Sequence, residues 1–271
     1  MKIIGINGSP RAKGNTRLAL DTMGEVFAQE GVEFDILHIG HNLSPCSGCF
    51  RCAKTHTCTL PDDGLNAMYD QLIQADGIVL ASPVYFASVT SGMRCFLDRI
   101  GCIDMNNGRK LRMKVGVPVA VPRRAGVVNA VDELFHYLNY AQMLIPGSLY
   151  WPLAFGQAPG EVAQDAEGIQ TLQVLAQEMV YVMKVLDAGK AQVPLREGAT
   201  MRKKYLFAAI ILVALCVVLI LLGLRQSGAL TTGSTAEGGS VSTQTEVQAP
   251  ITATLSVCGD IMSHSPDQRR L

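Results

Sequence analysis

Neither sign of charge is in excess: 23 Lys and Arg side chains are matched by 23 Asp and Glu over 271 residues. A basic nucleic-acid binder, with its surplus of Lys and Arg on one face, is therefore excluded. Ligand spacing is missing among the histidines, so His38, His41, His56 and His136 read as structural or solvated. No internal repeat is present. The start, "MKIIGING", lacks an apolar stretch long enough for a cleavable signal and runs straight into loop residues. With 48% apolar residues, the chain can bury a sizeable core in one domain with sequence left over.

What is present in unusual density is cysteine in one place and hydrophobicity in another. "LFAAIILVALCVVLILLGL", residues 206–224, is an uncharged run of 19 residues. A bilayer-crossing helix needs roughly 20, and a buried core helix would be shorter and carry a polar face. Arg202, Lys203 and Lys204 precede the run and only Arg225 follows it, so the positive-inside bias puts the N-terminal part in the cytoplasm and residues 225–271 outside. The expected organisation is a folded domain over 1–187, a connector over 188–205, the span at 206–224, a Ser/Thr/Gly-rich linker over 226–249 and a fragment over 250–271.

Within the first 187 residues, strand-like and helix-like segments alternate. Strands are expected in "MKIIGI", "VEFDILHI", "DGIVLAS", "KVGVPVAV" and "LIPGSLYW", where Tyr150 and Trp151 would pack the last strand or make a dimer contact. Helices are expected in "RLALDTMGEVFAQEG", in "DDGLNAMYDQLIQA" behind an acidic N-cap, in "SVTSGMRCFLDRIG", in "GVVNAVDELFHYLNYAQ" and over about 161–186. The alternation predicts an α/β fold with a five-stranded parallel sheet and helices on both faces.

Three motifs carry chemistry. "GINGSPRAKGNT", residues 5–16, sits between the first strand and the first helix, where backbone amides and the positive end of the helix favour an anion. It matches neither GxGxxG nor the Gly-Lys-Ser/Thr of an ATP loop. A monophosphate held by Ser9, Arg11, Asn15 and Thr16 and an ordinary glycine-rich turn both fit it. "GIVLASPVYFASVTSGMRCFLDR", residues 77–99, ends the third strand in Pro83, Val84, Tyr85 and Phe86, an apolar, aromatic loop at the carboxyl edge of the sheet. That edge is where open α/β sheets bind ligands, as flavodoxin binds FMN between strands 1 and 3.

The third motif is "CSGCFRCAKTHTC", which sets Cys46, Cys49, Cys52 and Cys58 within 13 positions. In a reducing compartment such a pattern means metal or redox chemistry more often than disulfides. Zinc ribbons separate two CxxC knuckles by ten or more residues, whereas CxxCxxC with a nearby fourth cysteine suits a [4Fe-4S] cluster. Cluster, zinc and unmetallated loop thiols are the three readings. Cys95 and Cys102 read as small buried hydrophobes.

Through "GSPRAKGNT" and "ADGIVLASPVYFASVTSGMRCFLDR" the chain resembles the flavodoxin-like NAD(P)H-dependent FMN reductases, and with "CSGCFRCAKTHTC" and the following "PDD" it is most similar to the iron-sulfur flavoproteins among them. The resemblance covers about residues 1–187. It implies FMN, with Ser9, Arg11, Gly14, Asn15 and Thr16 on its phosphate and Pro83, Val84, Tyr85 and Phe86 on the ring and ribityl chain. "PRRAGV", residues 122–127, stands where relatives carry a Gly-Gly loop, with Ala125 in place of one glycine and Arg124 and Gly126 as the ring contacts. It also implies the cluster on Cys46, Cys49, Cys52 and Cys58, NAD(P)H as co-substrate, small-molecule or protein redox partners and a homo-oligomer. No acid or base residue is assigned.

The expected function is FMN-dependent electron transfer from NAD(P)H or a reduced partner, through FMN and the cluster, to an acceptor. A flavin or quinone reductase without a cluster and a membrane-tethered, non-enzymatic electron carrier are the alternatives. The end of the chain, "ITATLSVCGDIMSHSP", resembles the first strand and loop of capsule-biosynthesis (poly-γ-glutamate synthesis) proteins, in which Asp260 would be an active-site ligand. About twenty residues cannot build that domain, so no activity is expected of them, and a fusion or truncated reading of two coding segments accounts for the join.

Overall fold

A computed structural model describes residues 1–40 and 42–193. The span expected at 206–224, the linker, the terminal fragment with Asp260, and His41 lie outside the described residues. Among the described residues no helix is long and apolar enough to cross a membrane.

Four strands form a parallel sheet: β1 (Lys2–Asn7), β2 (Glu33–His38), β3 (Gly77–Pro83) and β4 (Val115–Val121). Their order is β2-β1-β3-β4, with β1 pairing β2 and β3 in parallel. β1, β3 and β4 are buried on both faces, so their sequences are nearly unbroken apolar runs. β2 lies at an edge and alternates exposed and half-buried residues.

The helices are α1 (Asn15–Gln29), the short α2 (Cys52–Thr55), α3 (Leu65–Gln74), α4 (Ser91–Asn106), α5 (Val127–Tyr140) and α6 (Ala166–Gly189), the last preceded by a 3-10 turn at Glu161–Gln164. One core packs Ile4, Ile6, Ile78 and Leu80 of the sheet against α3, α4 and α5. The other packs Ile3, Val79, Val117 and Val119 against α1 and α6. Helices thus cover both faces, as expected, and each fully buried aliphatic side chain contributes roughly 1.5–3 kcal/mol.

The fifth strand needs correction. The segment expected to form it touches β4 at only two isolated parallel bridges, Leu144 beside Val115 and Leu153 beside Ala120. Between them the chain leaves the sheet, because Pro146 and Pro152 have no N–H to continue a ladder. Tyr150 and Trp151, expected to pack that strand, are instead about half exposed, at 53% and 50%, and meet edge to face with ring centroids 4.9 Å apart. The acidic N-cap of α3 is also absent: Gly64, at φ 82°, occupies that position without a side-chain cap.

Candidate functional site

The carboxyl ends of β1 and β3 are tied together before either loop begins. Gly8 donates its amide to the Ala81 carbonyl at 2.8 Å. The Thr90 hydroxyl donates to the Gly8 carbonyl at 2.7 Å while accepting the Met93 amide as the N-cap of α4. A Cβ on Gly8 would lie 3.0 Å from the Ala81 carbonyl oxygen and 2.6 Å from Met93 Cε, so any side chain here would press on the β3 backbone and displace Met93.

Residues 9–14 fold into a small cradle above this point. Asn7 Oδ1 accepts the Ser9 amide at 3.1 Å, Ser9 Oγ accepts the Arg11 amide at 3.1 Å, and His38 Nε2 lies 2.8 Å from the Ser9 carbonyl. Gly14 is the N-cap of α1 and supplies no side-chain acceptor. The amides of the first helical turn therefore have no partner inside the helix and carry its positive end. No acidic side chain stands in that turn, and Arg11 and Lys13 are exposed beside it. A Cβ on Gly14 would come within 3.2 Å of Arg11 Cβ and 3.6 Å of Ser9 Oγ, filling the cradle. The donor set suits a phosphate.

Of the phosphate candidates, Thr16 and Ser9 are both buried. The Asn15 side chain is engaged elsewhere: its Nδ2 donates to the Ala158 carbonyl at 2.9 Å and its Oδ1 accepts the Gly160 amide at 2.9 Å. Its side chain anchors a distant turn, leaving its helical amide for an anion.

After β3, Tyr85 and Ser88 exchange both backbone hydrogen bonds around Phe86 and Ala87. Those two residues have φ of 50° and 59°, the left-handed pair that a two-residue primed turn demands and that non-glycine residues adopt at a cost. The hairpin leaves Tyr85 about half exposed and Phe86 fully exposed, which presents apolar surface at the sheet edge. Ser88 Oγ donates to Glu133 Oε2 at 2.6 Å, and the Val89 amide reaches the same oxygen at 3.3 Å. Arg94 pairs with the other carboxylate oxygen, Oε1.

The loop after β4 meets the same hairpin. Gly126, at φ 79°, lies so close to Ala87 that a Cβ would stand 2.8 Å from its Cα. Gly126 is thus the contact point of the two loops, and Arg124 projects into solvent beside it. Pro83, Val84, Tyr85, Phe86, Arg124 and Gly126 are brought to one edge.

The cysteine loop follows β2 and lies against α4. Cys46, Cys49, Cys52 and Cys58 line one small pocket whose wall includes Arg99, Cys102 and Ile103. Cys46 and Cys49 are exposed, Cys58 is half-buried and Cys52 is buried. Left-handed residues at Gly48, Phe50 and His56 coil the loop back on itself. The Arg51 amide and the Ser47 hydroxyl hold the Cys49 thiol below its usual range. Among the described residues, no three His, Cys, Asp or Glu side chains stand at metal-holding geometry. The donor set of four thiols without a carboxylate in the pocket lining suits a soft metal or an iron-sulfur group.

Sequence patterning missed five residues that build these sites. Arg99 is the largest fully buried side chain among the described residues, at 2% exposure. It pairs with both oxygens of Asp63 and reaches Cys58 and Ser44. Although burial alone would push the Asp63 carboxyl up, the guanidinium and the Ser44 amide hold it below the ordinary carboxylate range. Cys102, read as a small hydrophobe, brings its Sγ within 3.5 Å of Cys52 Sγ. Burial beside Cys52 pushes its thiol up to about 12. Thr90 and Glu133 complete the set. Only the charge of "PDD" beside a cysteine motif signals any of these in the sequence, through Asp63.

A cavity of about 660 Å³ at the opposite, amino edge is lined by Met1, Asp76, Lys114 and the end of α6 and contains none of these residues.

Residues 1–158 match the family described as NADPH-dependent FMN reductase. An iron-sulfur flavoprotein of Methanocaldococcus jannaschii is 32% identical over 194 residues, covering 69% of this chain and 99% of that protein. An iron-sulfur flavoprotein of Archaeoglobus fulgidus is 30% identical over 205 residues, covering 73% of this chain and all of the other. One from Methanosarcina thermophila is 27% identical over 193 residues, covering 70% and 99%. Among solved structures, RosB with a bound intermediate superposes with a TM-score of 0.60 at 12% identity, covering 98% of this chain and 100% of that one. A flavone reductase gives 0.51 at 16% identity, covering 68% and 64%. These two likenesses concern the fold alone. The flavodoxin-like sheet, the match over more than half the chain and the end-to-end likeness to whole relatives agree, and the chain belongs to the NADPH-dependent FMN reductase family, with the iron-sulfur flavoproteins among its relatives, as an FMN-dependent oxidoreductase.

Proposed function

We propose that this oxidoreductase passes electrons from NAD(P)H or a reduced partner, through FMN and a [4Fe-4S] cluster on Cys46, Cys49, Cys52 and Cys58, to an acceptor. The observation that carries the reading is the convergence of all four motif thiols on one pocket backed by α4. When bound, FMN accepts an electron pair and the cluster exchanges single electrons, so together they join two-electron and one-electron chemistry.

The protein's part is binding and orientation. The loop over residues 9–14 and the first-turn amides of α1 take the phosphate, with Ser9, Arg11 and Thr16 as side-chain neighbours and Gly14 and Asn15 contributing backbone. The hairpin at Pro83–Phe86 and the loop with Arg124 and Gly126 bound the ring, and their mutual contact at Ala87 keeps the gap between them constant. Glu133 holds the hairpin from below through Ser88 and Val89. The half-exposed segment with Tyr150 and Trp151 supports the homo-oligomer. A membrane tether at residues 206–224 is proposed from the sequence.

The test is anaerobic purification of the full chain, followed by an absorption spectrum and iron and sulfide analysis. The expected result is bound flavin with a broad brown absorption that disappears in Cys49→Ser. A flavin-only spectrum with four titratable loop thiols overturns the cluster and leaves a plain flavin or quinone reductase.

A further inference from the structure

We propose that α4 sets the reduction potential of the group held by the cysteine loop, through Arg99 on Cys58 and Asn106 on Cys52. The inference rests on the cluster reading above and adds the residues that would tune it. Arg99 Nε lies 3.3 Å from Cys58 Sγ, and Asn106 Nδ2 lies 3.7 Å from Cys52 Sγ. Both are N–H donors aimed at sulfur atoms that the motif assigns as ligands.

The aim of each donor is fixed by a second partner. The Arg99 guanidinium spends its two terminal nitrogens on the carboxylate of Asp63, and Nη1 also reaches the Ser44 carbonyl at 3.3 Å. Of the five N–H groups of the planar fork, three go to Asp63 and Ser44, and of the two that remain the one on Nε faces Cys58. Asn106 donates to the Cys102 carbonyl at 2.8 Å, one turn back on its own helix, which turns its amide toward Cys52. Residues 99, 102 and 106 lie on one helical face, so a single element presents Arg99 and Cys102 to the pocket and sets Asn106 beside Cys52.

Hydrogen bonds to the ligating sulfurs are among the determinants of iron-sulfur potentials. Reduction adds one electron and with it negative charge on the thiolate sulfurs. An N–H pointed at sulfur stabilises that charge, and a buried guanidinium does so more strongly than an amide. Removing either donor therefore lowers the potential, with the larger effect at Arg99. Both residues act through a ligand, so they are positioning residues and not ligands themselves.

The experiment compares the full-length wild-type protein with Arg99→Lys, Arg99→Gln and Asn106→Leu after anaerobic purification. Iron and acid-labile sulfide are measured first, then the midpoint potential by a redox titration followed by electron paramagnetic resonance. At the wild-type midpoint, Arg99→Gln is expected to lower the reduced-to-oxidised ratio about tenfold, which is 59 mV for one electron. Arg99→Lys, which keeps the charge and loses the fork, should fall in between, and Asn106→Leu should lower the ratio severalfold with its iron retained. Should both Arg99 variants fail to fold, Asn106→Leu decides by itself. Iron-loaded variants with the wild-type midpoint overturn the inference and leave the cluster reading intact. Loss of iron from Asn106→Leu also overturns it, by assigning that residue to holding the group. A wild-type protein without iron overturns the cluster reading itself, and this inference with it.

Discussion

The two halves of the carboxyl edge are built in opposite ways. At the proposed flavin edge, the loop over residues 9–14 and the β3 hairpin are shaped by backbone: a helix N-terminus without a side-chain cap, a glycine at the Ala81 carbonyl, a primed turn, and a glycine pressed on Ala87. At the cysteine edge, the span between β2 and α3 is held by side chains, chiefly the buried Arg99, whose partners Ser44, Cys58 and Asp63 lie 36–55 positions away in sequence, with Asn66 on Cys58 and Asn106 on Cys52. Backbone-built sites depend on local residue types and tolerate little added volume. A loop held by side-chain contacts such as the buried Arg99–Asp63 pair depends on partners that no local pattern announces.

The contrast is sharpest at Arg99. Replacing it with Met leaves the Asp63 carboxylate, 11% exposed, without its counter-charge. Unfolding in urea should then show a loss of about 3–5 kcal/mol, the usual effect of orphaning a buried charge. The double variant Arg99→Met with Asp63→Leu should recover much of it, and a single-variant loss below about 1 kcal/mol would mean that the pair does not hold the loop.

At the flavin edge the corresponding break is Gly126→Ala. Its Cβ meets the Ala87 backbone in a left-handed conformation, which costs about 1–3 kcal/mol. The expectation is FMN binding weakened about tenfold, or about 1.4 kcal/mol, in a fluorescence titration, with the iron content unchanged. Equal loss of iron would join the two regions that this comparison separates.

Glu133→Gln is milder. It keeps an acceptor for Ser88 and Val89 but removes the charge facing Arg94. A loss of about 1–2 kcal/mol, read as faster flavin release, is expected.

The smallest effect is acid sensitivity confined to the cysteine edge. Because the folded Asp63 carboxyl is held below its ordinary value by Arg99, its contribution to stability is present above the unfolded pKa of about 3.9 and fades as pH falls through the lower folded value. Amide exchange in residues 44–63 should accelerate in that acid window before exchange in residues 5–16 does. Simultaneous acceleration in both would show that Asp63 is not the controlling group.

Legibility followed the same division. "GINGSPRAKGNT" and "SPVYF" announce strand-to-loop junctions by glycine, proline and the end of an apolar run, and the structure brings both to one edge. The cysteine spacing places four thiols in one loop. Reading "LIPGSLYW" as a short strand overlooked that proline on either side of the exposed aromatics leaves only single bridges to β4. The use of the Asn15 side chain, both ends of whose amide bond the turn at residues 158–160, has no local signal because its partners are far off in sequence.

The amino-acid sequence by itself determined the alternating α/β order, the buried parallel strands and the motifs that mark a flavin-binding family, because hydrophobic periodicity and turn residues act over a few positions. Only the tertiary structure decided what stands behind the motifs. Thr90 on Gly8, Glu133 under the hairpin, and Arg99 with Asn106 over the thiols are long-range pairings, set by how α4 and α5 pack on the sheet. A buried polar side chain must find its partners wherever packing delivers them, and sequence distance carries no record of that requirement.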